Sequence, residues 1–260
     1  MKRILLIANW KMNPVSQREV ERLFDNIDKG IRNIKSLKDG AIEIVICPPL
    51  VYLGSTCLPT RQGIKSLKSR IKFGGQNCHW EEKGSYTGEI SARMLRDLGC
   101  KYVIVGHSER RKYFNETNEM INKKLLAAFR AGLKPILCVG EEKGEDMALT
   151  VKSQLVEGLK RINRAQMRDL IIAYEPVWAI GTGNPCQTSN ALEVTIYIRK
   201  ILTELYNRKL AEEIPVLYGG SINSKTAKDY LKIGMDGLLV GGASLDSAEF
   251  VRIIREINSE

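Results

Sequence analysis

Histidine is almost missing from this chain: its 260 residues contain two, His79 and His107, beside six cysteines. The cysteines (Cys47, Cys57, Cys78, Cys100, Cys138 and Cys186) form no Cys-x-x-Cys pair, and their spacing does not supply the clustered ligands of a zinc site. Several sit in apolar runs, where a thiol behaves as a small hydrophobe. They are expected to be reduced, which suits a cytoplasmic protein. Long apolar runs are missing too. None approaches the ~18 residues of a membrane span. Ile4–Ala8 follows Met1-Lys2-Arg3 but is interrupted by Asn9 and Lys11. It falls short of the ~7–15 residues of a secretory core. No spacer rich in Pro, Gly and Ser divides the chain, so residues 1–260 are expected to form one domain.

Runs of like charge are equally scarce. The formal net charge is +10, yet no five or six basic residues are consecutive. A nucleic-acid or anionic-membrane surface concentrates its charge. Charge spread along the chain instead reads as a solvated surface, with neither nucleic acid nor membrane as partner. Apolar residues at 43% and charged residues at 27% are ordinary for a globular fold.

Short β-branched runs recur instead: Ile4–Ala8, Ile42–Cys47, Ile71–Gly75, Tyr102–Val105, Pro135–Val139, Leu170–Tyr174, Pro215–Tyr218 and Leu238–Gly241. They are nearly all apolar rather than alternating, the pattern of strands covered on both faces of a parallel sheet. Amphipathic segments lie between them. In Glu116–Ala131, Met120, Leu125 and Phe129 share a face, Glu119, Lys123 and Lys124 are polar, and Gly132 ends the helix. In Leu192–Tyr206 the stripe is Ile196, Ile198, Ile201, Leu202 and Leu205. Such alternation predicts an α/β fold, a single (β/α)8 barrel of eight parallel strands ringed by helices.

A barrel of this kind carries its chemistry on the loops after its strands. Asn9 and Lys11 follow the first run, Gln76 and Asn77 the third, and His107 and Glu109 the fourth. Glu175 follows the sixth, Gly219-Gly220-Ser221 the seventh and Gly241-Gly242 the eighth. A lone Glu, His or Lys is most often solvated or structural, and paired glycines are most often turns. Converging on one mouth, they offer a base, a hydrogen-bond donor, a fixed cation and bare N–H groups for an anion. Gly181-Thr182-Gly183 is no dinucleotide fingerprint, since Cys186 stands at the third glycine position. No cofactor and no metal is expected.

Ala-Asn-Trp-Lys-Met-Asn (8–13), Gly-His-Ser-Glu-Arg-Arg (106–111), Tyr-Glu-Pro-Val-Trp-Ala-Ile-Gly-Thr-Gly (174–183), Tyr-Gly-Gly-Ser (218–221) and Val-Gly-Gly-Ala-Ser-Leu (240–245) resemble the triosephosphate isomerase family, in its order and over essentially the whole chain. The resemblance implies cofactor-free interconversion of dihydroxyacetone phosphate and D-glyceraldehyde 3-phosphate through an enediolate, a step of glycolysis and gluconeogenesis. Glu175 would shuttle the proton between C1 and C2, its basicity raised in a dry cleft. His107 would donate from a neutral ring, a device known from the family itself. Lys11 would hold negative charge, Asn9 would bind substrate or steady Lys11, and Glu109 would position Lys11 and His107.

Gly181, Ser221, Gly241 and Gly242 would bind the phosphate. Pro176, Val177, Trp178, Ala179, Ile180, Gly181, Thr182 and Gly183 would form a lid that excludes water and restrains loss of phosphate. Within Gly74–Glu89, Thr87 would reach across a homodimer to buttress the partner's Lys11. One departure is Asn223-Ser224-Lys225-Thr226, which lacks the proline and asparagine common there and implies a looser helix start. Two rival readings stay open on the residues: a different phosphosugar isomerase, and an idle barrel that binds RNA.

Overall fold

A computed structural model describes residues 3–57, 71–181 and 185–258. Its strands are β1 (Ile4–Asn9), β2 (Ile42–Cys47), β3 (Ile71–Gly75), β4 (Tyr102–Val105), β5 (Lys134–Val139), β6 (Ile171–Tyr174), β7 (Val216–Tyr218) and β8 (Gly237–Val240). Each pairs in parallel with its sequence neighbours, and β1 pairs with β8, so the eight close into a barrel. The expected runs and the observed strands agree to within a residue or so at each end.

Both faces of the strands are buried, which is why the runs lack polar alternation. Leu5 and Ile7 of β1, Ile104 of β4, Ile136 of β5 and Leu239 of β8 fill the interior. Leu6 and Ala8 point outward against the helices. Gly237 permits the last closure, since a Cβ there would lie 2.0 Å from the Leu5 carbonyl oxygen. Trp10 is fully buried just past β1, packed on Phe24 at 4.7 Å between centroids, which fixes where the first loop leaves the barrel.

The helices need three corrections. The helix Asn118–Arg130 is capped by Thr117, whose side chain accepts the Met120 N–H, and Gly132 ends it at φ +70°. Lys124, expected on its polar face, is buried, with Nζ bonded to Glu116 and, at 2.8 Å, to Asn77 Oδ1. Arg110 reaches the same Glu116 carboxylate. Polar partners aimed inward override the outward preference of a lysine.

In Thr188–Leu205 the buried stripe holds Ile198, Ile201 and Leu202, whereas Ile196 is 61% exposed. Ile196 sits ~200° around the helix from Ile198 and cannot share its face. Leu205, the last residue of the helix, is also exposed. The start of the helix Ala227–Lys232 is not loose: Asn223 Oδ1 accepts the N–H groups of Lys225 and Thr226 at 2.9 and 3.1 Å. An Asx turn replaces the proline.

Candidate active site

Lys11 leaves β1 with φ at +53°, a left-handed backbone that a lysine adopts only when its surroundings impose it. Such residues cost on the order of 1–3 kcal/mol and concentrate at functional sites. Asn9 Oδ1 accepts the Lys11 N–H at 3.1 Å, and Gln76 Nε2 donates to the Lys11 carbonyl at 2.8 Å. The side chain is thereby aimed across the barrel mouth. Its Nζ lies 2.5 Å from Glu109 Oε1 and borders Gly241.

Gly106, at φ +73°, turns the chain sharply after β4 so that His107 caps the helix Ser108–Phe114. His107 Nδ1 accepts the Glu109 N–H at 3.2 Å, and Nε2 faces Glu175 Oε1 at 3.0 Å. The other Glu175 oxygen accepts the Ser108 N–H at 3.1 Å. Both side chains are buried. Burial opposes charge on the imidazole, while the facing carboxylate pulls its pKa up. The N–H directed at Nδ1 opposes a proton on that nitrogen, which would have to displace the bond, and leaves Nε2 as the nitrogen that faces the carboxylate.

Burial also works to raise the Glu175 carboxyl, but the His107 ring, the Ser108 N–H and Lys11 outweigh it and hold it below the ordinary carboxylate range. The dry-cleft rise in basicity expected from the sequence is thus offset in this arrangement by hydrogen bonds that substrate would have to replace. Cys138 lies beneath, its thiol on Glu175, and burial pushes its pKa far up, so it stays protonated.

Two glycines make room for the carboxylate. A Cβ on Gly219 would stand 2.9 Å from Glu175 Cγ, and one on Gly140 would stand 1.8 Å from its carbonyl oxygen. Beside the pair opens a cavity of ≈ 280 Å³ lined by Asn9, Lys11, His107 and Glu175, by Gly181 and Ser221, and by Gly241 and Gly242. That is room for a small ligand. A cation, a carboxylate and an imidazole border it, and glycines of the turns after β7 and β8 form part of its wall. Proton transfer on a small anion is the chemistry such a mouth permits.

After Glu175, Val177–Ala179 form a short 3-10 turn, and Ile180 and Gly181 beyond it line the cavity. Val177 N–H donates to the Glu141 carbonyl at 3.0 Å and Trp178 Nε1 to Glu141 Oε1 at 2.7 Å. Ser221 Oγ donates to the Ala179 carbonyl at 2.6 Å. Thr182 and Gly183, expected in the same loop, lie outside the described residues. Thr87 is exposed and is not among the residues lining this cavity.

The sequence places Ser108, Gly140 and Glu141 after their strands without pointing to a role, which the structure supplies, and it gives no sign of Ile222 and Asn223 in the wall. The sequence signal for Gly140 and Glu141 was their place directly after β5; a backbone N–H such as that of Ser108 leaves none. Among the described residues no group of three His, Cys, Asp or Glu is placed to hold a metal, and no helix is long and apolar enough to cross a membrane.

A family model described as triosephosphate isomerase matches residues 4–257. The triosephosphate isomerase of Dictyoglomus thermophilum is 43% identical over 265 residues, covering 98% of this chain and 100% of that protein. That of Moorella thermoacetica is 44% identical over 259 residues, covering 98% of each chain. That of Clostridium botulinum strain Langeland is 42% identical over 261 residues, covering 98% of this chain and 99% of its own.

Proposed function

The chain belongs to the triosephosphate isomerase family and interconverts dihydroxyacetone phosphate and D-glyceraldehyde 3-phosphate in glycolysis, and from that premise we propose how its own residues do so. The phosphate is held by backbone N–H groups of Ser221, Gly241 and Gly242, with Gly181 added from the lid. Lys11, fixed by Asn9 and Glu109, balances its charge. The substrate carbonyl takes the His107 Nε2 hydrogen bond that Glu175 accepts in this structure. Released from that bond inside a drying cavity, Glu175 gains basicity, removes a proton from one carbon and returns it to the next.

Neutral His107 donates to the enediolate oxygens and steadies the charge as it develops. The segment Pro176–Gly181 excludes water and keeps the enediolate from expelling phosphate. The observation that supports this reading is the buried His107–Glu175 pair at 3.0 Å, opening on a cavity shared with Lys11. A coupled triose assay on the purified protein tests it. Turnover needing no added metal or cofactor, and competitive inhibition by 2-phosphoglycolate, are expected. Turnover of an aminosugar or pentose phosphate in place of trioses would reject it.

The assembly we propose is a homodimer in the cytoplasm. Met12, Tyr86 and Phe114 are exposed apolar residues around the mouth, beside a groove of ≈ 530 Å³ that reaches Lys11 and Glu109. A protruding loop carrying Tyr86 and Thr87 from a second copy suits that groove, and Thr87 would then support Lys11. The basic residues are spread along the sequence rather than clustered, which supports a reading without a nucleic-acid partner.

A further inference from the structure

The loop that leaves β6 rejoins the barrel at Cys186, and both backbone hydrogen-bonding groups of that residue are held by tyrosine side chains. Tyr218, the last residue of β7, accepts the Cys186 N–H on its Oη at 3.0 Å. Tyr230, in the helix Ala227–Lys232, donates its hydroxyl to the Cys186 carbonyl at 2.5 Å. The two rings lie face to face, centroids 3.7 Å apart and planes within 11°. Both are fully buried. Gly220 is part of the arrangement, since a Cβ there would lie 2.3 Å from Tyr218 Oη.

We propose that Tyr230 is a positioning residue for the lid, its hydroxyl locking the Cys186 peptide at the point where the lid rejoins the barrel. The proposal rests on the reading of Pro176–Gly181 as a lid over the enediolate. Packing alone does not call for the hydroxyl, because phenylalanine would fill the same volume and keep the stack. What the oxygen adds is a partner for a carbonyl that has no other among the described residues. With its N–H and C=O held by two rings that brace each other, Cys186 cannot turn either of the peptide planes that meet at its Cα without breaking a hydrogen bond or parting the stack. That end of the lid therefore has one position.

Gly181, five residues earlier in the chain, is the lid's phosphate contact, and an ångström of error there weakens a closed state. A poorly seated lid has a chemical signature. The electron pair of the enediolate expels inorganic phosphate from C3 and leaves the enol of 2-oxopropanal, in place of protonation to product.

Tyr230→Phe tests the assignment through two readouts, affinity for 2-phosphoglycolate and inorganic phosphate released per isomerisation. We expect the affinity to fall about tenfold, the loss of one well-placed hydrogen bond, and phosphate release to rise severalfold, with a thermal midpoint near that of the unaltered protein. Unchanged affinity and unchanged partition overturn the assignment. A lowered midpoint with those two unchanged does so as well, and marks the hydroxyl as structural only. If the unaltered protein binds 2-phosphoglycolate no more tightly than inorganic phosphate, the lid reading itself fails and takes this inference with it.

Discussion

Glu175 and His107 share a 3.0 Å hydrogen bond although they come from different strands, β6 and β4, with β5 between them. Barrel closure, rather than sequence proximity, brings them together. Together with the Ser108 N–H, that bond holds the Glu175 carboxyl below its ordinary 4.5 against the pull of burial. A depressed folded pKa contributes stability that is complete above the unfolded value and lost as pH falls through the folded one. Thermal melts of the unaltered protein and Glu175→Gln should therefore differ in favour of the former at about pH 7. The gap should close as the pH is taken below about 4.5. A gap that widens on acidification contradicts the assignment.

Shortening the base tests its geometry. Glu175→Asp withdraws the carboxylate by about one bond, and a misplacement near 1 Å costs about 10²-fold in rate. Steady-state kinetics should show kcat down by about that factor with KM changed only a few-fold. A variant that turns over like its parent would remove Glu175 from the mechanism.

Gly219 makes a subtler demand. A methyl group there would meet Glu175 Cγ at 2.9 Å and the Tyr174 carbonyl at 3.3 Å. Gly219→Ala should lower kcat at least about tenfold by displacing the carboxylate. Far-ultraviolet circular dichroism should show the barrel retained. Unaltered kcat would mean the carboxylate has slack.

Stability has its own pressure point in Lys124. Its removal strands Glu116, one of whose oxygens already lacks a partner among the described residues. Breaking a buried pair costs about 3–5 kcal/mol, and Arg110 remains to absorb part of it. Lys124→Met should lose about 3 kcal/mol in urea unfolding. The double variant Lys124→Met/Glu116→Gln should recover some of this, because no bare charge is left inside. A fully additive double variant would show that the two do not interact.

How much of this was legible in the chain depends on the kind of force involved. The strands were readable because burial on both faces writes long apolar runs, as in Tyr102–Val105, and Asn9, His107 and Glu175, which meet at one cavity, because each stands within two residues of the end of such a run. Lys124 was not, since a lysine's charge says outward unless its buried partners, Glu116 and Asn77, are known. Nor was the clamp on Cys186, whose members are spread along the chain from Cys186 to Tyr230. The left-handed backbone of Lys11 carries no sequence signal either. It is imposed by Asn9 and Gln76, from two strands.

In the proposed reaction Glu175 is the base that carries a proton between the carbons, and no hydride passes directly between them. Conversion of dihydroxyacetone phosphate in deuterium oxide, followed by proton nuclear magnetic resonance, tests it most directly. Deuterium is expected at C2 of the glyceraldehyde 3-phosphate formed, with loss of both conversion and labelling in Glu175→Gln. Product free of deuterium, or labelling that survives in Glu175→Gln at the original rate, would contradict it.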